Sequence, residues 1–206
     1  MAVLCILLPS SHIKAQNEGW KQDKTKDGKV LVSYNFLEKI DENGKKFNVL
    51  EFEAVTKAAV SLESCLAVLT DNSRHKDFME DAEHTERIKV LSEDEWLSYY
   101  KLKSRWPMPE TDVVTRYKLE LKPDYNSFIL TGYPAPDMYP DQGLKRMQES
   151  FSRYTITDLG EGQCEVTMYS KSVPVASIPK MLLKTWIPNG PANMVNGIVR
   201  LAQEEK

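Results

Sequence analysis

The sequence holds few residues of the types that metal binding and catalysis need. It has three histidines and three cysteines among 206 residues. His12, His75 and His84 stand at no spacing that builds a metal site. His84 and Glu86 could share one face of a strand, but no third ligand accompanies them. A nucleophile elbow, a Walker loop and a dinucleotide fingerprint are also missing. We therefore expect no metal, no cofactor and no enzymatic activity.

The sequence also lacks an excess of positive charge. Its 27 lysines and arginines are balanced by 30 aspartates and glutamates, which gives a net charge of -3 with both signs interspersed. Nucleic acid binding calls for a clustered basic surface, because the phosphates of the partner must be neutralised. Nucleic acid is therefore not an expected partner.

We also expect the protein to be a monomer.

No apolar run reaches the length of about 20 residues that a membrane-spanning helix needs. The N-terminus does carry a short apolar run at 2–8, followed by Pro9 and two serines, like the back half of an export signal. Basic residues are missing before this run, and Ile13 stands where a small residue usually precedes the cleavage site. We predict an incomplete signal peptide at 1–16, an exported protein (periplasmic or secreted) and a single domain at 17–206. The alternative is a frayed N-terminus on a cytoplasmic protein.

Cysteine content does not decide between these compartments. Cys5 would leave with the signal, so Cys65 and Cys164 remain and could form one disulfide. Cys65 lies in an apolar helical segment and Cys164 opens a late strand. These positions favour two separate buried thiols.

Alternating apolar and polar residues predict a chain built mainly of antiparallel strands. The strands are expected at 29–36, 47–55, 84–91, 95–103, 112–121, 127–133, 147–157 and 163–173. Short helices are expected at 61–69, with Ser61 as N-cap, and near 74–79. Asn43 and Gly44 favour a hairpin turn between the first two strands. A helix begins at Ser177 and is broken or kinked by Pro188 and Pro191. The pattern indicates an α+β fold.

One loop in this pattern is unusually apolar. Trp106 and Met108 stand among prolines in the loop between the fourth and fifth predicted strands. Apolar side chains at a loop tip usually need a partner. In the strand that follows, one face carries Val113, Thr115 and Tyr117. The other face carries the charged residues Arg116, Lys118 and Glu120. This alternation is typical of a half-buried antiparallel strand with its apolar face inward.

Three segments of the sequence resemble those of the START lipid-transfer domain, which belongs to the helix-grip (Bet v 1-like) superfamily, and the chain resembles a bacterial-type member of that family. They are the segment 106–109 followed by Asp112, the segment 145–147 and the segment 173–179 that leads into the final helix. The order of elements is also similar, from about 20 to 203. The resemblance implies a curved antiparallel sheet wrapped around a long C-terminal helix, with short helices after the first strands. It further implies a cavity for one sterol, phospholipid or other hydrophobic molecule.

The sequence departs from the family at one charged position. Family members often carry an arginine where this chain has Thr111, just before Asp112, so a buried acid–arginine pair is not expected in its usual place. Leu97, Tyr99 and Lys101 share one face of their strand by alternation. If that face is inward, Lys101 is the lone cation of an apolar cavity and needs an acidic partner. If the strand is phased the other way, Lys101 is exposed.

Candidate ligand contacts lie on the inner faces of the strands, in the 104–111 loop and on the terminal helix. They are Leu97, Tyr99, Lys101, Trp106, Met108, Val113, Thr115, Tyr117, Phe128, Leu130, Met147, Phe151, Val166, Met168, Met181, Leu182, Thr185 and Val195. Trp106 and Met108 would form part of a lid over the ligand. Cavity-lining and core-filling residues follow the same sequence pattern, so periodicity alone does not separate a hollow interior from a solid one.

The function expected from this pattern is non-enzymatic binding of one hydrophobic ligand, such as a lipid, sterol or isoprenoid. Transfer between membranes, or presentation to a partner, would involve transient contact with a membrane surface. The Trp106 loop and the helix break at 188–191 would form the gate. An alternative is a helix-grip enzyme, cyclase-like or hydrolase-like, that acts on a polyketide-like or aromatic substrate through cavity Tyr, Lys or Arg side chains. A third is an interaction domain with a filled core.

Overall fold

The computed structural model describes residues 19–124 and 126–205, and these form an α+β fold, as the sequence indicates. Ten strands occur in the described residues. They are β1 (Lys21–Lys24), β2 (Leu31–Ile40), β3 (Lys46–Ala58), β4 (Ala82–Val90), β5 (Glu95–Leu102), β6 (Thr111–Leu121), β7 (Ser127–Pro134), β8 (Lys145–Arg146), β9 (Ser150–Gly160) and β10 (Gln163–Ser172). The α-helices are α1 (Leu62–Thr70), α2 (Lys180–Trp186) and α3 (Asn189–Glu204), and two 3₁₀ helices cover Asn72–Asp77 and Pro136–Met138.

All ten strands belong to one sheet. Its order is β1-β2-β3-β10-β9-β7-β6-β5-β4, and every neighbouring pair along this path is antiparallel. The two-residue strand β8 lies off the path and pairs with β6 in parallel. The sheet is curved, and α1 and α3 pack on its inner face. The break predicted in the C-terminal helix is confirmed, because α2 ends at Trp186 and α3 begins at Asn189.

Local signals in the sequence explain the first elements. The β2–β3 hairpin turns where the Asp41 carboxylate accepts hydrogen bonds from the backbone of Asn43 and Lys45, at 3.0 and 2.8 Å. Gly44 adopts a φ of 77°, which a residue without Cβ adopts readily. Helix α1 begins after Ser61, whose hydroxyl accepts from the backbone amide of Ser64 at 3.0 Å. The predicted turn and N-cap are both confirmed.

The apolar residues form two clusters, one on each face of the sheet. The main core contains Tyr117 of β6 and Val195 of α3. The smaller cluster on the outer face contains Leu97 and Val114, which pack with Ala135 from the loop after β7. Both faces of β5 are therefore covered, so its sequence carries no polar alternation that would mark the inward side.

Cys65 and Cys164 are buried and not bonded to each other. Burial raises the pKa of the Cys65 thiol to about 12, and the neighbouring Cys164 adds to the shift. This agrees with the prediction of two separate buried thiols. No helix among the described residues is long and apolar enough to cross a bilayer. The predicted signal peptide at 1–16 lies outside the described residues.

Candidate functional site

The inner face of the sheet is solid at one end and hollow at the other. Along β9 and β10 the inward residues Tyr154, Ile156, Val166 and Met168 are fully buried in the core. Further toward one end of the same two strands, the inward positions are Ser150, Ser152, Ser170 and Ser172, and all four are partly accessible. We call these four residues the serine patch. Small side chains at successive inward positions leave space between the sheet and the helices.

That space is a cavity of about 310 Å³, which we call the inner cavity. Leu50 and Phe52 of β3 form one apolar wall, and Ser170 and Ser172 contribute hydroxyl groups. The remaining lining residues are Asn48, Met79, Glu80, Asp81, Ala82, Leu102, Met147, Pro174, Ile178, Leu183, Trp186, Gly190 and Met194. A mainly apolar wall with a few polar groups is typical of a site for a hydrophobic small molecule.

A second cavity of about 400 Å³, the outer cavity, lies between α2 and the loop 103–109. Five residues line both cavities and separate one from the other: Asp81, Leu102, Ile178, Leu183 and Trp186. The outer cavity is formed by the apolar loop that the sequence singles out and by the helix that precedes the break.

Trp186 holds this position because α3 carries a glycine beside it. A methyl group at Gly190 would overlap the indole ring of Trp186. On its other side the indole meets Phe52 edge-on, with ring centroids 5.6 Å apart. The ring therefore lies between the first turn of α3 and strand β3, at the boundary of the two cavities.

The segments around the outer cavity are weakly anchored. Helix α2 contains no buried residue, and Met181 on its surface is 73% exposed. Trp106 at the loop tip is 81% exposed. Within the loop, the backbone groups of Arg105 and Met108 pair with each other at 3.1 and 2.7 Å. Arg105 also reaches Asp81 at 3.4 Å. Elements with few buried contacts are those that open at low free energy.

The predicted ligand contacts divide into three groups. Five lie in the cavity region: Met147 lines the inner cavity, and Trp106, Met108, Leu182 and Thr185 line the outer one. Eight are buried and line neither cavity: Val113, Thr115, Tyr117, Phe128, Leu130, Val166, Met168 and Val195. These eight residues pack the solid end of the interior. The remaining five line neither cavity and lie at outward or exposed positions.

Strand β5 directs three of these side chains to its outer face: Leu97, Tyr99 and Lys101. The possibility that they point inward is therefore wrong. Leu97 and Tyr99 belong to the small outer cluster. The Lys101 ammonium lies 3.1 Å from a carboxylate oxygen of Glu83 and 3.0 Å from one of Glu110, and these acceptors raise its pKa. The outward alternative for Lys101 is therefore the correct one, and its side chain is half-buried beside these two carboxylates.

Phe151 and Met181 are also misplaced by the sequence pattern. Phe151 faces outward and packs edge-on against Tyr133 and Tyr169. The expected strand at 147–157 is interrupted between β8 and β9, which reverses the phase, so Met147 is inward and Phe151 outward. Met181 points to solvent because α2 contacts the rest of the fold through Leu183 and Trp186.

A buried acid–arginine pair is present, although the sequence pattern did not predict one. Asp112 is fully buried and accepts hydrogen bonds from Arg146 of β8, at 3.1 Å from Nε and 2.6 Å from Nη2. The carboxylate raises the pKa of Arg146. Arg146 also donates to the carbonyls of Pro136 and Pro140, at 3.0 Å each, and so fastens the loop over the outer face. The pair is part of the framework, and neither Asp112 nor Arg146 lines the inner cavity.

A second polar group in the interior involves His75, which is completely buried. Its Nε2 lies 3.0 Å from the carbonyl of Leu69, and its Nδ1 lies 2.7 Å from the Tyr100 hydroxyl. A carbonyl only accepts, so Nε2 carries the proton and Nδ1 accepts from Tyr100. Tyr117 extends the chain, 3.0 Å from Tyr100. Burial lowers the pKa of His75 to about 4. Within the described residues, no cluster of His, Cys, Asp and Glu side chains is suited to hold a metal.

Sequence comparison places this geometry in a known family. A family model for the START domain matches residues 7–206. The chain belongs to the START domain family. A Pseudomonas aeruginosa protein named uncharacterized protein PA1579 is 24% identical over 189 residues, which cover 91% of this chain and 88% of the relative.

Solved START structures share the fold. A STAR-related lipid transfer protein from Xanthomonas axonopodis matches with a TM-score of 0.74 and 20% identity, over 90% of this chain and 99% of that one. Human STARD10 matches with a TM-score of 0.68 and 19% identity, over 91% and 76% of the two chains. The Zhui aromatase/cyclase from Streptomyces sp. R1128 has a TM-score of 0.54 and 10% identity, over 76% and 95%. The helix-grip assignment is confirmed, and the fold includes a cyclase.

Proposed function

We propose that the protein binds one hydrophobic ligand of the lipid class in the inner cavity and carries it between membranes or presents it to a partner. START membership and the fold support a hydrophobic ligand-binding domain. The observation that carries the proposal is the mainly apolar cavity between the serine patch and helices α2 and α3. No ion pair with the ligand is needed to drive binding. Apolar burial contributes about 0.8 kcal/mol per methylene, or roughly 10 kcal/mol for a twelve-carbon chain before the losses on association.

Ligand access in this proposal runs through the outer cavity. Trp186 and Leu183 separate the two cavities, and α2 has no buried residue to hold it in place. Movement of α2 away from the loop 103–109 would join the cavities and widen their opening to solvent. This differs from the expected gate in one respect: the helix that moves is α2, and the two residues between α2 and α3, Ile187 and Pro188, serve as its hinge.

The same two segments supply the proposed contact with a membrane surface. Trp106 and Met181 are exposed apolar side chains on the loop and on α2. Arg105 and Lys184 are exposed on the same segments. An indole can enter the headgroup region while its N–H stays hydrated, and nearby cations favour anionic lipids. Contact with a bilayer would thus place the gate against the source of the ligand.

The enzyme alternative has less support from the inner cavity. No Tyr, Lys or Arg among the described residues lines it, although these were the expected acid–base groups. Its ionisable residues are Glu80 and Asp81, which contact Asn193 at 2.6 Å and Arg105 at 3.4 Å. We therefore propose a carrier. Turnover of a polyketide-like or aromatic substrate by the purified protein would contradict that choice.

We further propose that residues 1–16 are a signal peptide, that 17–206 form one exported domain and that this domain is a monomer. The apolar run at 2–8 and the serines that follow Pro9 support the signal. Expression of the full chain in a bacterial host, followed by fractionation and intact mass measurement, tests the cleavage. An uncleaved cytoplasmic product would contradict export, and light scattering after size exclusion would test the monomer.

The carrier proposal is tested by ligand uptake. The purified protein, extracted free of lipid, is incubated with fatty alcohols, fatty acids, phospholipids, sterols and isoprenoids. We expect native mass spectrometry to find one bound molecule for at least one of these classes, with a rise in the thermal midpoint. Absence of both effects across the panel would contradict the proposal.

A further inference from the structure

The charged groups around the inner cavity are unfavourable for an anionic ligand. Its lining contains no lysine, arginine or histidine from the described residues, and its only charged members are Glu80 and Asp81. The cations that might have served are engaged elsewhere: Lys101 on the outer face and Arg146 with Asp112. A carboxylate or phosphate inside this cavity would lose its hydration without gaining a counter-charge, and it would face two acidic side chains.

Besides these two carboxylates, the cavity is lined by neutral polar side chains on two neighbouring strands. Asn48 lies on β3, and Ser170 and Ser172 lie on the neighbouring strand β10 at inward positions. Asn48 donates through Nδ2 to the carbonyl of Ile178 at 2.9 Å, which leaves its Oδ1 to accept. The hydroxyl of Ser172 lies 3.1 Å from that of Ser150. Ser170 has no hydrogen-bonding partner among the side chains of the described residues, so its hydroxyl can donate and accept.

We infer that the inner cavity selects a lipid whose head is uncharged and carries a hydroxyl or amide group, with Asn48, Ser170 and Ser172 as its recognition residues. This inference rests on the proposed carrier function. A hydroxyl or amide head donates to Asn48 Oδ1 and exchanges hydrogen bonds with the two serines, while the chain fills the apolar part. An ammonium head would be drawn to Glu80 and Asp81, but Asn193 and Arg105 already contact these carboxylates. A neutral head therefore satisfies the cavity best.

The test uses three probes with the same twelve-carbon chain: dodecanol, dodecanoate and dodecylammonium. Binding to the lipid-free protein is measured at pH 8 by titration calorimetry, with native mass spectrometry for stoichiometry. We expect dodecanol to bind at least tenfold more tightly than dodecanoate and more tightly than dodecylammonium. Uptake of dodecanoate with equal or higher affinity, or of dodecylammonium with higher affinity than dodecanol, would overturn the inference and leave the carrier function standing. Absence of dodecanol binding would also overturn the inference, and the carrier function itself would fail only if the wider lipid panel showed no uptake either.

A pair of variants tests the recognition residues. Ser170→Ala combined with Ser172→Ala removes the two hydroxyls and keeps the shape of the cavity. We expect it to weaken dodecanol binding about fivefold to thirtyfold, because two neutral hydrogen bonds are lost. Thr167→Ala is the control, since Thr167 lies on the same strand and faces outward. Unchanged dodecanol affinity in the double serine variant, with a folded protein by circular dichroism, would overturn the assignment of these serines.

Discussion

Gly190→Ala is the substitution that acts most directly on the boundary between the two cavities. The added methyl group would overlap the Trp186 indole, so the ring must leave its place between α3 and Phe52. The whole of α2 can shift with it, because that helix has no buried residue. The substitution should therefore favour the open state in which the cavities are joined.

The size of the effect follows from the contact that is lost. An edge-on aromatic pair such as Trp186 and Phe52 contributes about 0.5–1.5 kcal/mol beyond its buried area. The free energy needed to move α2 and join the cavities then falls by this amount. This fall corresponds to ligand release that is about 2- to 12-fold faster. Alanine is a better helix former than glycine by up to about 1 kcal/mol, so the free energy of unfolding should change little.

The assay is the release of a fluorescent acyl lipid from preloaded protein to excess liposomes, followed by stopped flow. Gly197→Ala is the matched control in the same helix. Its methyl group would lie 2.6 Å from Cβ of Phe78, in the contact between α3 and the first 3₁₀ helix, so it should lower the thermal midpoint. It should not change the release rate at a temperature where the protein stays folded. A wild-type release rate in Gly190→Ala would refute the role of Trp186 as the partition.

Three further predictions concern burial and exposure. Burial holds the pKa of His75 at about 4 in the folded protein. As the pH falls, His75 is therefore protonated at a higher pH in the unfolded chain than in the folded one. The free energy of unfolding should therefore fall by about 3 kcal/mol between pH 6.5 and pH 4. Denaturant titrations should show that the unfolding free energy of His75→Gln depends less on pH over this range. Replacing Trp106 and Met108 together by alanine should slow lipid exchange with liposomes several-fold and leave the thermal midpoint nearly unchanged. A collapse of the fold would instead place these side chains in the core. Cys65 and Cys164 should resist alkylation in the native protein and react in denaturant, and rapid native labelling would contradict their burial.

The parts of the fold that depend on local chemistry could be predicted from sequence. Asn43 and Gly44 mark the first hairpin, Ser61 marks the start of α1, and Pro188 marks the break between α2 and α3. Each signal acts through a few neighbouring backbone groups, so no tertiary context is needed to interpret it.

Local signals could not predict which side chains of β5 and β9 point toward the core. A period-two pattern assigns a face only where one side is polar, and both sides of β5 are covered by apolar residues. Before β9 the strand is interrupted at 147–149, which reverses the alternation, and no residue in the sequence marks this interruption clearly. The Asp112–Arg146 pair depends on the parallel contact of β8 with β6, which is a tertiary feature.

The hollow did have a sequence signal. On β9 the first inward residues are Ser150 and Ser152, and bulky apolar side chains follow them. On β10 the order is reversed: bulky apolar side chains come first, and Ser170 and Ser172 are the last inward residues. In an antiparallel pair, these small residues meet across the strands and leave the space empty at one end of the sheet. The signal becomes visible only once the register of the two strands is known.

If the inner cavity is the ligand site, filling it with a large side chain should abolish ligand binding. Ser170→Phe would place a large side chain into that cavity without removing a hydrogen bond between described side chains. Thr167→Phe is its control on the outward face of the same strand. By native mass spectrometry, we predict one bound lipid per chain in the wild type and in Thr167→Phe, and none in Ser170→Phe, with all three proteins folded. Undiminished one-to-one binding by Ser170→Phe would contradict the assignment of this cavity as the ligand site.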